Sequence, residues 1–233
     1  MKISVITINK NNKEGLERTI KSVITQTFFD KIEYIIVDGG SCDGSFDVIL
    51  KYRGYFSNCV SAVDSGIYNA MNKGIGMMNG DYTLFLNSGD HFHSADAVER
   101  MYNHLDCDIV YGDLCIHQAN SKDGSFFKQY PNKVDAEYFV KDALPHEAAF
   151  IRSSLLKRKH YREDYRIISD TIFFFESIIL DGASYKHVGE VVTDFYLGGV
   201  SSLFPNVQKE KERYFMEGNL NKFLNGDCLF SNN

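Results

Sequence analysis

Proline is scarce in this chain, with three residues among 233, and there is neither an internal repeat nor a linker rich in proline, glycine or serine. The charge imbalance is small, because 25 lysines and arginines stand against 31 aspartates and glutamates and leave a formal net charge of -6. With 44% hydrophobic residues the chain can bury a core of its own, which argues against a disordered protein. Mild acidity and scattered basic residues argue against a nucleic-acid partner.

The cysteines show no spacing that indicates disulfide or metal-binding pairs. The five cysteines contain no C-x-x-C pair, and their odd number fits neither a disulfide framework nor a zinc ribbon. They are Cys42, Cys59, Cys107, Cys115 and Cys228. A cytoplasmic location, where thiols stay reduced, fits this cysteine usage best.

Long hydrophobic runs are missing as well. Residues 1–12 contain no apolar run of signal-peptide length, and no segment approaches the roughly 18 apolar residues of a membrane span. The most apolar segment, Ile172–Leu180, is interrupted by Glu176. Contact with the inner face of a membrane would therefore be peripheral. The basic cluster at 157–159 and the aromatic C-terminal segment are its candidates, and they fit a solvated face and a packed helix equally well.

Short β-branched apolar runs alternate with segments of helical period over the first 115 residues. This alternation is typical of βαβ units around a parallel sheet. The predicted strands are Ile3–Ile8, Ile32–Val37, Cys59–Val63, Tyr82–Leu86 and Asp108–Tyr111. The predicted helices are Glu14–Thr27, which Asn11 or Asn12 can cap, Gly44–Tyr52, Ile67–Met78 and Ser94–His104.

The pattern changes after Gly112. The predicted strands Ser125–Gln129, Ala148–Ile151 and Tyr185–Phe195 are not separated by regular crossover helices, so we expect the sheet to become mixed there. Helices are predicted at Asp170–Leu180 and Gln208–Leu224. The sequence thus predicts one continuous α/β domain with a Rossmann-like, mostly parallel sheet that becomes mixed in its second half, with helices on both faces.

Polar clusters follow three predicted strands, at the sheet edge where open α/β folds bind ligands. The first cluster runs from Asp38 to Ser45. Its glycines let backbone amides approach a ligand, and its acids suit a base or ribose better than a pyrophosphate, although a plain turn fits as well. The second runs from Asp64 to Gly74, where Asp64 or Ser65 can simply cap the following helix.

The third cluster, Asn87-Ser88-Gly89-Asp90-His91-Phe92-His93, directly follows a buried strand. Its amide and carboxylate oxygens suit Mg²⁺ or Mn²⁺ bridging a diphosphate, because hard cations need few protein carboxylates when phosphates supply the remaining ligands. A turn built from Asn, Ser, Gly and Asp is the structural alternative.

In this order the clusters resemble those of the inverting family 2 glycosyltransferases of the GT-A fold. The similarity rests on the runs ISVITIN, IIVDGGSCDGS, DSGIYNAMNKGI and GDYTLFLNSGD, and it extends through 145–150, 168–170 and 194–201, so that it covers about residues 2–202. More narrowly, the chain is similar to bacterial enzymes of colanic acid, O-antigen and capsule synthesis. The resemblance implies transfer of a sugar from a nucleoside diphosphate donor, UDP by family frequency, to a hydroxyl of an acceptor glycan carried on a polyprenyl diphosphate.

The resemblance also implies residue roles. It places Thr7 and Asn9 at the border of the nucleotide pocket, Asp38 on the base or its ribose, and Asp64 beside the same pocket. The full donor-binding set that we expect is Thr7, Asn9, Asp38, Asp64, Asn72, Lys73, Asn87, Ser88 and His146.

Asp90 is the metal ligand that the resemblance implies, with Mn²⁺ or Mg²⁺ as the ion. Asn87 and Gly89 stand where carboxylates often occur in the family, which indicates a weaker or water-rich site rather than a lost one. His91 and His93 could add a ligand, although imidazole is a softer choice for Mg²⁺. The missing carboxylates also raise the alternative of a non-catalytic nucleotide-sugar-binding or scaffolding subunit.

Asp170 matches the family's general base, which removes the acceptor proton as the hydroxyl attacks. Ser169 or Asp170 could instead only cap the helix. His146 contacts the diphosphate or the acceptor, or is a buried structural histidine, and Glu147 replaces the family's usual glutamine. Residues 198–201, with paired glycines, fit a loop that closes over the donor or a plain turn.

The resemblance implies a domain division. We expect residues 1–202 to form the GT-A domain, with a nucleotide-binding half at about 1–115 and an acceptor and catalytic half at about 116–202, followed by a helical extension at 203–233. A homodimer is left open.

Overall fold

A nine-stranded sheet runs through the residues that the computed structural model describes, which are 1–118, 124–198 and 204–216. The strands are β1 (Ile3–Asn9), β2 (Ile32–Asp38), β3 (Asn58–Ser61), β4 (Tyr82–Phe85), β5 (His91–Phe92), β6 (Ile109–His117), β7 (Ser125–Lys128), β8 (Ala149–Arg152) and β9 (Tyr185–Tyr196). Their order is β3-β2-β1-β4-β8-β6-β9-β5, and β7 pairs with β6.

The sheet is parallel at one end and mixed at the other. Strands β3, β2, β1 and β4 are all parallel. Strand β8 lies antiparallel between β4 and β6, whereas β6 and β9 are parallel. The short strands β5 and β7 pair antiparallel with β9 and β6. The predicted α/β class, with a mostly parallel sheet that becomes mixed, is confirmed.

Helices cover the sheet. They are α1 (Lys13–Ile24), α2 (Ser45–Lys51), α3 (Ile67–Met77), α4 (Ala97–Tyr102), α5 (Ala136–Lys141), α6 (Ser153–Arg158), α7 (Ser169–Phe175) and α8 (Phe204–Tyr214). Every residue of β1 and β2 is buried, so both faces of the sheet are covered at these strands, as the continuous apolar runs predict. Among the described helices, none has the length and hydropathy that crossing a membrane requires.

Helix α1 begins where its sequence predicts. Asn12 is the N-cap, and its side-chain oxygen accepts a hydrogen bond from the backbone N–H of Gly15 at 3.2 Å. The Asn12 amide also donates to the carbonyl oxygen of Ser88 at 2.8 Å. One side chain therefore both starts the helix and ties it to the loop after β4.

The differences from prediction are concentrated in short elements and element ends. Strand β6 is longer than predicted because it pairs with three strands. The helix predicted at Asp170–Leu180 ends at Phe175 and continues as a π-helical turn, Glu176–Leu180. Helix α8 begins at Phe204, before the predicted start, and residues 217–224 of the predicted helix lie outside the described ranges. Strand β5 and helices α5 and α6 span two to six residues, too few to show a period.

The predicted division at about residue 115 falls within β6, so one sheet continues across it. The division into two functional halves stays a prediction. The part of the predicted C-terminal extension that the structure describes packs on the domain, because Tyr214 and Phe215 at its end are buried against Phe175.

Helix α8 also holds the segment that precedes α7. The carboxylate of Glu210 accepts hydrogen bonds from three consecutive backbone N–H groups, those of Arg166 at 2.9 Å, Ile167 at 2.9 Å and Ile168 at 3.2 Å. Three hydrogen bonds to one charged group fix this segment more strongly than neutral pairs would.

A second contact joins α8 to the end of α5. The buried ammonium of Lys211 donates to the carbonyl oxygens of Phe139 at 3.0 Å, Val140 at 3.3 Å and Asp142 at 3.0 Å. These carbonyls lie at the C-terminal end of α5, where helices leave acceptors unpaired. Burial lowers the pKa of Lys211, but all three of its donors have partners.

We expect Lys211→Met to lower the free energy of unfolding by about 1–3 kcal/mol, because the carbonyls at the end of α5 lose their donors while staying buried. Denaturant-induced unfolding measures the change. Lys209→Met, at an exposed position on the same helix, is the matched control and should change stability by less than about 0.5 kcal/mol. Equal effects of the two substitutions would contradict this account of Lys211.

Candidate active site

A cleft of about 820 Å³ opens at the carboxyl ends of β1 and β4. Its walls come from the loops after β1, β3 and β4, from the turn before β8, from the start of α7 and from the end of β9. The ionisable and amide side chains that line it are those of Asn9, Lys10, Asn12, Arg18, Asp64, Asn87, Asp90, His146, Glu147, Arg166 and Asp170. A cleft at this edge of an open sheet is where the fold predicts a ligand.

Asp170 lies in the first turn of α7 and is buried in the wall of the cleft. One carboxylate oxygen accepts from the hydroxyl of Tyr68 at 2.9 Å and from the backbone N–H of Thr171 at 2.8 Å. The other lies 2.8 Å from Nδ1 of His146. Burial disfavours the carboxylate, but the hydrogen bond and charge of His146 outweigh burial and lower the pKa of Asp170.

The helix-cap alternative for Asp170 is not what the structure shows. Ile168 is the N-cap residue of α7, and no side chain caps this helix. The hydroxyl of Ser169 instead accepts from the backbone N–H of Arg162 at 2.6 Å. One oxygen of Asp170 thus bonds to a first-turn N–H of α7, while the other faces His146.

His146 is a buried cation among acids. Its burial disfavours the imidazolium, yet the charges of Glu147 and Asp170 raise the pKa of His146 to about 9. Its Nε2 lies 3.4 Å from a carboxylate oxygen of Glu147 and 3.1 Å from the side-chain nitrogen of Asn87. The side-chain oxygen of Asn87 is buried without a hydrogen-bond partner.

Asp90 and Glu147 are two further buried acids that line the cleft. Asp90 accepts from the backbone N–H of Tyr196 at 3.0 Å. Burial, followed by the charge of Glu147, raises the pKa of Asp90, and burial also raises the pKa of Glu147. With Asp170, three buried carboxylates thus lie near one histidine. Burying this many negative charges is unfavourable unless protons or an additional cation neutralise them.

Asp38 organises the loop after β2 without reaching the cleft. Its fully buried carboxylate accepts from Asn9 at 2.8 Å, from Ser41 at 2.5 Å and from Ser61 at 2.6 Å. Burial opposes ionisation, but these hydrogen bonds together lower the pKa of Asp38. A direct contact of Asp38 with a base or ribose stays a prediction.

Asp64 reaches the cleft through a close packing of two loops. Its carboxylate accepts from the backbone N–H of Gly66 at 3.2 Å, and Gly66, not Asp64 or Ser65, is the N-cap of α3. A Cβ on Gly39 would lie 2.2 Å from the carboxylate of Asp64. Gly39 is therefore required for this approach, as the glycine-rich sequence indicates.

The structure brings seven of the predicted site residues to the cleft, namely Asn9, Asp64, Asn87, Ser88, Asp90, His146 and Asp170. It does not bring Thr7, Asn72 or Lys73 there. Thr7 is fully buried and its hydroxyl is hydrogen-bonded to that of Tyr34, while Asn72 is bonded to Tyr161 and Glu163. The direct donor contacts of these residues stay predictions that the geometry does not favour.

The histidines that could have added a metal ligand lie away from the cleft, and the predicted closing loop is described only at Gly198. His91 and His93 do not line the cleft, and both point to Asp194. Gly198 borders the cleft, whereas residues 199–201 of the predicted loop lie outside the described residues. The carboxylate of Glu163 accepts hydrogen bonds from the side-chain amides of Asn69 and Asn72.

Sequence reasoning missed several residues of the site. The cations Lys10, Arg18 and Arg166 line the cleft, and Tyr68 hydrogen-bonds to Asp170 across 102 positions of sequence. No local pattern marks such a distant pair. Glu147 did leave a signal, since it stands where a glutamine is usual in similar sequences, and the structure shows it as a buried acid of the site.

A model of a known family, Glycosyl transferase family 2, matches residues 4–179. An uncharacterized glycosyltransferase of Mycobacterium tuberculosis is 34% identical over 184 residues, which cover 76% of this chain and 69% of the relative. A PGL/p-HBAD biosynthesis glycosyltransferase of the same organism is 27% identical over 208 residues, which cover 85% of this chain and 78% of the relative. These names do not mention colanic acid, O-antigen or capsule, and that narrower resemblance stays a prediction.

Solved structures share the fold. The S. aureus TarS crystal structure matches 99% of this chain and 44% of its own, with a TM-score of 0.70 and 18% identity. TarS residues 1-349 in complex with UDP-GlcNAc match 98% of this chain and 77% of their own, with a TM-score of 0.70 and 16% identity. The mannosyltransferase PcManGT from Pyrobaculum calidifontis, in complex with GDP-Man and Mn2+, matches 94% and 65%, with a TM-score of 0.67 and 14% identity.

We expect the imidazole of His146 to titrate with a pKa of about 9, above the usual value of about 6.5, because Glu147 and Asp170 stabilise its charged form. The raised pKa means that this charge stabilises the fold fully below the usual value, and that the contribution is lost as the pH rises through about 9. Nitrogen-15 NMR of the histidine rings measures the titration. Asp170→Asn should lower the pKa of His146, and a wild-type midpoint at or below about 6.5 would contradict the ion pair.

Proposed function

The chain belongs to glycosyl transferase family 2 and is a glycosyltransferase, and from this premise we propose that it moves a sugar from a nucleoside diphosphate donor to an acceptor hydroxyl, with inversion at the anomeric carbon. The observation that carries the proposal is Asp170, a buried and ionised carboxylate at the wall of a large cleft. UDP is the proposed nucleotide, in keeping with the TarS structure that contains UDP-GlcNAc. The proposed acceptor is a surface-polysaccharide glycan on a polyprenyl diphosphate, glycosylated at the cytoplasmic face of the membrane.

Asp170 is the proposed general base. Its lowered pKa keeps it ionised at neutral pH, so it is ready to accept a proton. The acceptor hydroxyl becomes more acidic as its oxygen bonds to the anomeric carbon, and the carboxylate then takes the proton. Tyr68 and His146 hold the carboxylate in a single orientation, so that the base does not have to be ordered during the reaction.

The donor side of the cleft provides the charges that a diphosphate requires. Lys10, Arg18 and Arg166 bring three cations to its lining. Arg18 is held in place because its guanidinium donates to the carbonyl oxygen of Gly89 at 2.8 Å and lies over the ring of Tyr196. Cations positioned before the reaction stabilise the negative charge that develops on the departing nucleotide.

A divalent cation fits the same region. Asp90 and Glu147 are buried carboxylates with raised pKa values, and the side-chain oxygen of Asn87 has no hydrogen-bond partner. Such hard oxygen donors suit Mg²⁺ or Mn²⁺, and we propose that Asp90 and Glu147 would hold the ion. When bound, it would supply charge neutralisation for the leaving diphosphate. In this proposal Glu147 supplies a carboxylate that the loop at 87–90 lacks.

A second cavity beside Asp170 is the proposed binding site for the acceptor. A second cavity of about 310 Å³ shares His146, Glu147 and Asp170 with the cleft. Apolar side chains such as Leu144 and Phe195 form part of its wall. We propose that the acceptor glycan enters here, because a hydroxyl in this cavity has direct access to Asp170.

We expect Asp170→Asn to lower the rate of sugar transfer by about 10²–10⁴-fold, because an amide cannot accept the proton of the acceptor hydroxyl. The affinity for the donor nucleotide should change less than the rate, although the substitution also removes the charge partner of His146. Donor-hydrolysis and transfer assays measure the rate, and calorimetry measures nucleotide binding. The matched control is Asp181→Asn, an exposed aspartate just after the same helical segment, which should keep full activity. A fully active Asp170→Asn would remove Asp170 from the base role, and a wild type that binds UDP-sugars without turnover would favour a non-catalytic binding subunit.

We expect the affinity for Mn²⁺ to rise by up to about tenfold per pH unit over the range where Asp90 ionises, because the ion and the proton compete for one carboxylate. Burial and Glu147 raise the pKa of Asp90, which moves this range above that of an ordinary aspartate. Calorimetric titration with Mn²⁺ and UDP at several pH values measures it. Asp90→Asn should bind Mn²⁺ weakly and with a shallower pH dependence, because only Glu147 then loses a proton on binding. A wild-type affinity independent of pH would contradict the role of Asp90.

A further inference from the structure

A second cluster of ionisable side chains lies outside the cleft, where β5, β6 and β9 meet. The strand register places Asp194 of β9 directly beside His91 of β5 and Cys115 of β6. His93 and His117, at the ends of these strands, complete the cluster. None of the five lines the cleft, and the proposed transfer reaction uses none of them.

The buried carboxylate of Asp194 is the centre of the cluster. One of its oxygens lies 3.0 Å from Nδ1 of His93 and 3.6 Å from Nε2 of His91. The other lies 2.5 Å from Nε2 of His117. Three imidazoles therefore surround one buried carboxylate, which has about four acceptor sites on its two oxygens.

Three possible metal-ligand atoms of this cluster lie close together. The ring nitrogen of His93, the sulfur of Cys115 and a carboxylate oxygen of Asp194 all lie within 4.8 Å of one another. Tetrahedral zinc ligands lie about 2.0–2.3 Å from the ion, and hence about 3–4 Å from one another, so movements of about 1 Å would suffice. We propose that His93, Cys115 and Asp194 form a binding site for a zinc-like transition-metal ion, separate from the Mg²⁺ or Mn²⁺ site of the cleft.

The donor set distinguishes the two sites. Nitrogen and sulfur ligands favour zinc and related transition metals, whereas the oxygen donors of the cleft favour Mg²⁺ or Mn²⁺. The side chain of His93 is 33% exposed, which gives an ion in solution a path to the site. His117, bound to the other oxygen of Asp194, would fix the orientation of this ligand, as groups behind metal ligands commonly do.

Metal binding at this site must release a proton. An ordinary cysteine thiol, with a pKa of about 8.5, is protonated at neutral pH. The ion binds the thiolate, so the sulfur–hydrogen bond is broken, its proton leaves to solvent, and no electron is transferred. Occupancy is therefore expected to increase with pH.

An ion here would act on the wall of the cleft. The ring of His117 stacks on that of Tyr196 at 4.6 Å with planes 8° apart, and the backbone N–H of Tyr196 donates to Asp90. Binding would fix the end of β9, which carries Phe195 and Tyr196 along the cleft. The proposed role of the ion is structural, and it does not depend on the proposed function.

Co²⁺ is the probe for this site, because a cobalt–thiolate bond gives an intense charge-transfer absorption that oxygen and nitrogen ligands do not. The full chain is first freed of metal with a chelator. Titration with Co²⁺ is expected to produce the thiolate band at one equivalent, and Zn²⁺ is expected to abolish it by displacement. Zn²⁺ should also raise the melting temperature by several degrees when present at about 100 times its dissociation constant.

Two variants, each with a control, test which residues bind the Co²⁺ ion. Cys115→Ser should abolish it, whereas Cys59→Ser, in a strand at the opposite edge of the sheet, should keep it. His93→Ala, at a partly exposed position with little risk to folding, should weaken Co²⁺ binding at least tenfold, whereas the exposed His160→Ala should not. Asp90→Asn should keep the band, because it alters only the cleft. Absence of the band from the wild type, its survival in Cys115→Ser, or unchanged affinity in His93→Ala would each overturn the proposal.

Discussion

The buried ion pair between Asp170 and His146 is the interaction on which the arrangement of the cleft depends. Removing one member of such a pair leaves an isolated charge in a poorly solvated place, which is far more costly than never having buried the pair. His146 also faces Glu147 and Asn87, and the charge of His146 favours the ionised form of Asp90 as well. The charge of His146 therefore acts on Asp170, Glu147 and Asp90 together. The proposed base and the proposed cation ligands therefore share a single electrostatic balance.

The loop after β4 and the turn before β8 complement each other. Asn87 and Gly89 leave Asp90 as the single acid of its cluster, and Glu147 adds an acid from a turn far along the chain. The two meet because β8 lies antiparallel beside β4 in the sheet. The loop at 87–90, considered alone, contains one carboxylate. The folded chain brings the carboxylate of Glu147 to the same cleft.

The sequence predicted what depends on local pattern. The strands, the Asn12 cap, the glycines beside Asp64 and the clustering of loops at one edge of the sheet all follow from periodicity and turn chemistry. It says less where orientation or long-range contact decides. Thr7 lies on a strand whose residues are all buried, and Asn72 is engaged by Tyr161, so neither lines the cleft. The partners of Asp170 and the contacts of Glu210 join residues that no local period relates.

The hold of Glu210 on the segment before α7 has a thermodynamic consequence. Helix α8 lies beyond residues 4–179, which the family comparison matches, and yet three of its hydrogen bonds position the chain that leads to Asp170. A molecule that bound α8 only in the position seen here would therefore favour this geometry around Asp170. By linkage, whatever occupies the cleft must alter that binding by the same factor. Helix α8, which also lines the second cavity through Gln208 and Lys211, thus supports the position of Asp170 from outside the matched region.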